Sequence, residues 1–144
     1  DDTVVNKDKT FIASIDGKRK SYNSTKVAEN TFTIYTKNLG QFTLALDTIA
    51  PRISIGKFIK GKSIGKDKTI VFKITDEMSG IKSYNGFLNE KWVLFEYDNK
   101  SARIVYQMNE EDLVDGENQL KMIVSDNLGN SAIFETSFFR SQKK

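Results

Sequence analysis

The stretch that decides the fold is Asp115-Gly116-Glu117-Asn118-Gln119-Leu120-Lys121-Met122-Ile123-Val124-Ser125-Asp126-Asn127-Leu128-Gly129-Asn130. Leu120, Met122 and Val124 alternate with Lys121, Ile123 and Ser125. A period of two sends one set of side chains to a core face and the other toward water or a second layer. Asp115-Gly116 opens the run and Asn127-Leu128-Gly129-Asn130 closes it, both with turn chemistry.

The same alternation recurs at Ile70, Phe72 and Ile74, at Ile104, Tyr106 and Met108, and at Phe32 and Ile34. β-Branched and aromatic residues fill these runs, which suits a pleated, half-buried surface. Further turn signals fall at Asp16-Gly17, Asn38-Leu39-Gly40, Ser79-Gly80 and Asp98-Asn99. Short strands at intervals of about 8–12 residues indicate a sandwich or barrel. The expected strands are 10–15, 19–23, 31–36 and 40–46, then 52–55, 68–75, 81–87, 91–97, 102–108, 118–125 and 131–139. One helical turn is expected at Asn109–Leu113, capped by Asn109 and bridging strands of different sheets.

The single proline, Pro51, ends the segment Asp47-Thr48-Ile49-Ala50-Pro51 and fixes an extended backbone. The boundary is placed there. Residues 1–49 read as a small β unit or the end of a preceding β domain. Residues 50–144 read as an immunoglobulin-like antiparallel β-sandwich of roughly seven strands, so the class is all-β. The expected core is Ile53, Ile70, Phe72, Ile74, Ile81, Trp92, Leu94, Ile104, Tyr106, Leu113, Leu120, Met122, Val124, Phe134 and Phe138.

Composition narrows the chemistry. The 144 residues contain no cysteine and no histidine. No thiol nucleophile, disulfide, Cys/His zinc site or imidazole base can come from this chain alone. The net charge of +3 is too small to call for nucleic acid as a partner. Its distribution is uneven: residues 52–73 carry seven basic residues against Asp67 alone. Solvated lysines on strand edges and loops account for this better than an anionic polymer does. No apolar run approaches the roughly 20 residues needed to span a bilayer.

Two elements resemble known families. Asp115-Gly116-Glu117-Asn118-Gln119-Leu120 followed by Val124-Ser125-Asp126-Asn127-Leu128-Gly129-Asn130 resembles a penultimate-strand signature of bacterial immunoglobulin-like domains. The segment Gly40-Gln41-Phe42-Thr43-Leu44-Ala45-Leu46-Asp47-Thr48-Ile49-Ala50-Pro51 leads into Ile74-Thr75-Asp76-Glu77-Met78-Ser79-Gly80-Ile81. With Gly86–Asp98 and Phe134–Arg140, it is similar to the C-terminal region of exported M23-family metallopeptidases of Bacteroidetes type. The likeness covers about residues 10–140. M23 peptidases bind zinc through histidines and an aspartate, so the resemblance implies the non-catalytic region after the peptidase domain. It further implies a periplasmic, cell-surface or secreted location, with the peptidase domain or a cell-envelope component as partner. A monomer is expected.

Three candidate sites follow from the residues. Tyr84, Trp92 and Tyr97 are candidate ligand-binding aromatics, but the preferred reading of the aromatic concentration is core packing, with Trp92 in the manner of the buried Trp of an immunoglobulin strand. Asp76, Asp126, Asn127 and Asn130 form an oxygen-rich set in two Gly-containing loops. Calcium could be shared there, but the preferred reading has each Asp accepting backbone N–H bonds in its own turn, with no metal and no cofactor. Glu110, Glu111, Asp112, Asp115 and Glu117 crowd one exposed turn, which lacks the paired, cleft-facing acids of glycosidase chemistry, so no catalytic residue is assigned. Gly61-Lys62-Ser63 has the ending of a phosphate loop, but a strand follows it instead of a helix.

Overall fold

The computed structural model describes residues 6–56, 69–98 and 100–140. Gly61-Lys62-Ser63 lies outside the described residues. Among the described residues there are thirteen strands: β1 Thr10–Asp16, β2 Arg19–Tyr22, β3 Lys26–Ala28, β4 Thr31–Thr33, β5 Gln41–Leu46, β6 Arg52–Ile55, β7 Thr69–Thr75, β8 Ile81–Leu88, β9 Lys91–Val93, β10 Glu96–Asp98, β11 Arg103–Gln107, β12 Gly116–Asp126 and β13 Ser131–Arg140. Two short 3-10 turns, Lys7–Lys9 and Glu110–Asp112, complete the described elements.

The strands from β6 onward form two four-stranded sheets, ordered β10-β11-β7-β6 and β13-β12-β8-β9. All their pairings are antiparallel. In chain order this is the immunoglobulin arrangement, in which the first, second, fifth and fourth strands share one sheet and the rest share the other. The short β9 adds an edge strand to the second sheet. Between the sheets lie Ile70, Phe72, Ile74, Leu88, Val93, Phe95, Ile104, Tyr106, Met108, Leu120, Met122, Val124 and Phe138. Each contributes roughly 1.5–3 kcal/mol by leaving water. Ile53, Ile81, Leu113 and Phe134 pack against this core as partly buried residues.

The expected 91–97 strand is two strands in different sheets, and this break overturns part of the expected core. Trp92 is 57% exposed and Leu94 is 60% exposed, whereas Val93 and Phe95 are buried. The reason is register. Gly86 pairs with Val93 and Phe87 pairs with Trp92. The inward phase of β8 is carried by Gly86 and Leu88, so Val93 follows it inward and Trp92 points out. In immunoglobulin order the third strand is β8, which has no tryptophan, so Trp92 does not take the place of the buried strand-C indole. The strand expected at 31–36 stops at Thr33 and pairs with β3, which the sequence reading missed.

Glu110–Asp112 does connect the two sheets, between β11 and β12. Asn109 makes no side-chain cap bond there. Arg140 Nη1 instead donates to the carbonyls of Glu110 and Leu113, each at 3.2 Å.

In front of the sandwich, β2-β1-β5 form a three-stranded antiparallel sheet. Phe11, Ala13 and Ala45 make its small core, with Tyr22, Met78 and Leu128 packed against them. Met78 and Leu128 belong to loops of the sandwich, so the front sheet is seated on one end of it.

Candidate functional site

Strand direction gathers several loops at that end. Arg52 at the start of β6 pairs with Thr75 at the end of β7, and Asp126 at the end of β12 pairs with Ile81 at the start of β8. The segment after β5, the β7–β8 loop and the β12–β13 loop therefore meet. Each brings one aspartate: Asp47, Asp76 and Asp126, and one carboxylate oxygen from each lies within 4.8 Å of those of the other two.

Two of the loops are built alike. Asp76 Oδ1 accepts from the N–H of Met78 (3.1 Å) and of Gly80 (2.6 Å). Asp126 Oδ1 accepts from the N–H of Leu128 and of Asn130, both at 2.8 Å. In each, the carboxylate takes amides two and four residues ahead, the local bonding that makes Asp a turn residue. Gly80 and Gly129 supply the left-handed backbone, with φ of +82° and +76°. The turn role expected of Asp76 and Asp126 is thus present.

Asp47 is different, because it joins elements. Its Oδ1 accepts from Ile49 N–H (3.1 Å) and its Oδ2 from Ser79 N–H (3.0 Å) across the junction. Asn130 Nδ2 donates to the Asp47 carbonyl (3.0 Å) and to Asp126 Oδ2 (2.7 Å). Asn127 Nδ2 donates to the carbonyl of Ser79 (2.8 Å). Lys9 Nζ donates to the Leu128 carbonyl (2.7 Å), and Asp47 N–H donates to the Lys9 carbonyl (2.8 Å). Asp47 and Asp126 are 1% and 0% exposed, and Asp76 is half-buried. Among the described residues, no Lys or Arg pairs with any of these three carboxylates.

The sequence reading placed Asp76, Asp126, Asn127 and Asn130 here but not Asp47. A signal was available, since Asp47 closes the alternating run Phe42-Leu44-Leu46, and Asp76 and Asp126 likewise come within two residues of the end of theirs.

The aromatic set divides. Tyr84 and Tyr97 face each other across the two sheets, with ring centroids 6.1 Å apart. Trp92 stands on the outer face of the β13-β12-β8-β9 sheet, where its Nε1 donates to Asn85 Oδ1 (3.3 Å). Phe87, Ile123 and Ile133 share that face through the pairings Phe87–Trp92, Asn85–Ile123 and Ile123–Ile133. Lys121 and Glu135 pair there at 3.0 Å. A shallow groove of about 670 Å³ runs beside them, lined by Phe87, Glu90, Glu117, Lys121, Ile123 and Glu135 among others. Tyr84, Trp92 and Tyr97 therefore do not share one shelf.

Of the acids on the turn before β12 and at its start, Glu110, Glu111, Asp115 and Glu117 are exposed. Asp112 accepts a hydrogen bond from Tyr106 OH at 2.7 Å. Burial, reinforced by that bond and by the charge of Asp112, pushes the Tyr106 phenol well above its usual range.

These features define a class: an all-β chain with an immunoglobulin-type sandwich and a front sheet docked on its loop end. Comparison with protein-family models gives no match. Comparison with curated proteins gives none either. Among solved structures, the chain is similar to CopC from Methylosinus trichosporium OB3b, with a TM-score of 0.46 and 11% identity. That likeness covers 65% of this chain and 98% of the CopC chain. The M23-type resemblance has no counterpart among the family models or the curated proteins. Among the described residues, no helix is long and apolar enough to cross a membrane.

Proposed function

We propose that this chain is a non-catalytic accessory β-sandwich module of an exported cell-envelope protein of the M23-metallopeptidase type. It acts by holding a partner, either the adjacent peptidase domain or a component of the envelope. The observation that carries this reading is Trp92, an indole 57% exposed beside Phe87, Ile123 and Ile133 on an outer sheet face. Flat aromatic area with a polar N–H tip suits the rings and amides of a wall polymer or the surface of a protein. The lack of histidine and cysteine, and acids that stand in solvent around a turn, support holding over hydrolysis. A periplasmic, cell-surface or secreted location follows from the same reading.

The test is co-sedimentation with isolated peptidoglycan sacculi and, in parallel, with an M23 peptidase domain. Wild-type chain is expected to be retained by one of them, and Trp92→Ala to lose that retention with an unchanged melting temperature. Retention by neither, or equal retention of the variant, overturns the reading.

A stand-alone carbohydrate- or peptidoglycan-binding protein is the second reading, and the exposure of Trp92 favours it equally. The reading frame upstream of Asp1 separates the two. A His-bearing peptidase domain there supports the module, and a start codon immediately before Asp1 supports the free-standing binder.

A further inference from the structure

We propose that Asp47, Asp76 and Asp126 hold a divalent cation, calcium by their chemistry, which ties the front sheet to the sandwich. The three ligands come from the segment after β5, the β7–β8 loop and the β12–β13 loop, so an ion among them would bind all three at once. One oxygen from each lies within 4.8 Å of those of the other two. Calcium–oxygen distances are about 2.3–2.6 Å, so oxygens on opposite sides of the ion are about 4.8 Å apart. Hard carboxylate oxygen with no nitrogen or sulfur selects calcium over the transition metals.

A second observation points the same way. Ser79 is 2% exposed, and its Oγ has no hydrogen-bond partner. Buried hydroxyls are nearly always bonded, so an orphan calls for a physical reason. The Ser79 backbone borders the cluster, since its N–H donates to Asp47 Oδ2 and its carbonyl accepts from Asn127 Nδ2. A cation that the Ser79 hydroxyl ligated together with the carboxylates would give that oxygen a partner. The donors already bonded to the carboxylates do not preclude this, because a carboxylate has about four acceptor sites and hydrogen bonds fill two on Asp47, two on Asp76 and three on Asp126. Both amides that bond Asp76 go to Oδ1, which leaves Oδ2 open to an ion. Three carboxylates and one hydroxyl fall short of the six to eight oxygens calcium takes, and water would supply the rest.

The test is titration calorimetry of the whole chain with calcium chloride, with thermal unfolding in calcium and in chelator. Wild type is expected to bind one calcium ion and to melt higher in calcium, because a ligand that binds only the folded state stabilises it. Asp76→Asn keeps an acceptor for the turn amides and removes a charge. It is expected to weaken calcium binding by about tenfold or more, the scale seen when a metal site loses supporting groups. Ser79→Ala is the second arm. In chelator it is expected to melt no lower than wild type, since it deletes an unsatisfied hydroxyl, and in calcium to lose part of the calcium-induced rise. Absence of calcium binding in the millimolar range overturns the proposal, and so does binding that neither variant weakens.

Discussion

Phe95 fills the space that a side chain on Gly86 would need. A Cβ built on Gly86 would overlap Cδ2 and Cε2 of the Phe95 ring and come within 3.2 Å of Met122 Cε. Phe95 follows the point where the chain leaves β9 for the opposite sheet, and its ring reaches back to the centre of β8. There it also packs at a tilt against Phe72 and Tyr106, with centroids 5.7 and 5.2 Å apart. The sheet switch and the glycine are one device. Without a bare backbone at position 86, the crossing residue could not close the core.

Gly86→Ala is therefore expected to destabilise the chain by about 3 kcal/mol, near the top of the range for overpacking a filled core. Gly86→Ala combined with Phe95→Leu is expected to recover part of that loss, because the narrower side chain vacates the contested space. Urea unfolding of the two single variants and the double variant measures the coupling, and strict additivity would show that the two residues do not compete.

Asn118 is wholly buried and fully bonded. Its Oδ1 accepts from Asn89 Nδ2 (2.8 Å) and Val114 N–H (2.9 Å), and its Nδ2 donates to the carbonyls of Val114 (2.8 Å) and Gly116 (3.2 Å). Asn118→Ala orphans several buried groups at once and is expected to cost about 2–4 kcal/mol, read by urea unfolding. Asn118→Asp keeps the acceptor but turns charge toward two carbonyls, which favours the protonated acid. Its deficit against wild type should grow as pH rises above the ordinary Asp range of about 4 and shrink below it. A deficit flat between pH 3 and pH 7, on the order of the Ala variant's, would contradict this account.

Tyr106 gives an alkaline signature. Its phenol titrates higher in the folded chain than in the unfolded one, with burial as the main cause and the bond to Asp112 second. The folded state thus keeps its proton when the unfolded state begins to lose one. The contribution is complete below the unfolded value of about 10 and is lost as pH rises through the folded value. Unfolding free energy should decline above about pH 10 more steeply in wild type than in Tyr106→Phe. At neutral pH the same variant is expected to be less stable by about 1 kcal/mol through loss of the hydrogen bond.

Trp92 is the sole tryptophan, so its fluorescence reports one place. Acrylamide should quench it readily in the folded chain, with little further gain on unfolding. Trp92→Ala is expected to change stability by no more than about 0.5 kcal/mol, as for other surface positions. A shielded indole, or a large loss of stability, would place this ring in a core instead.

Much of the fold was legible because alternation is local. Leu120, Met122 and Val124 face inward as their spacing says, and so do Ile70, Phe72 and Ile74. The β12–β13 turn follows directly from Asp126-Asn127-Leu128-Gly129-Asn130, since Asp126 bonds amides within its own loop. Trp92 escaped the same logic. Both phases of 91–97 are apolar, so alternation alone could not say which one faces the core. That choice belongs to β8, whose inward position opposite Val93 is a glycine.

The sequence by itself determined an all-β chain with turns built on Asp, Asn and Gly, and without imidazole or thiol, because strand period, turn chemistry and composition all act over a few neighbouring residues. Only the tertiary structure decided that Trp92 faces outward and that Asp47 joins Asp76 and Asp126. Those outcomes depend on which strands lie side by side and where their ends fall, and that packing brings Asp47 and Asp126 together from 79 positions apart in the chain.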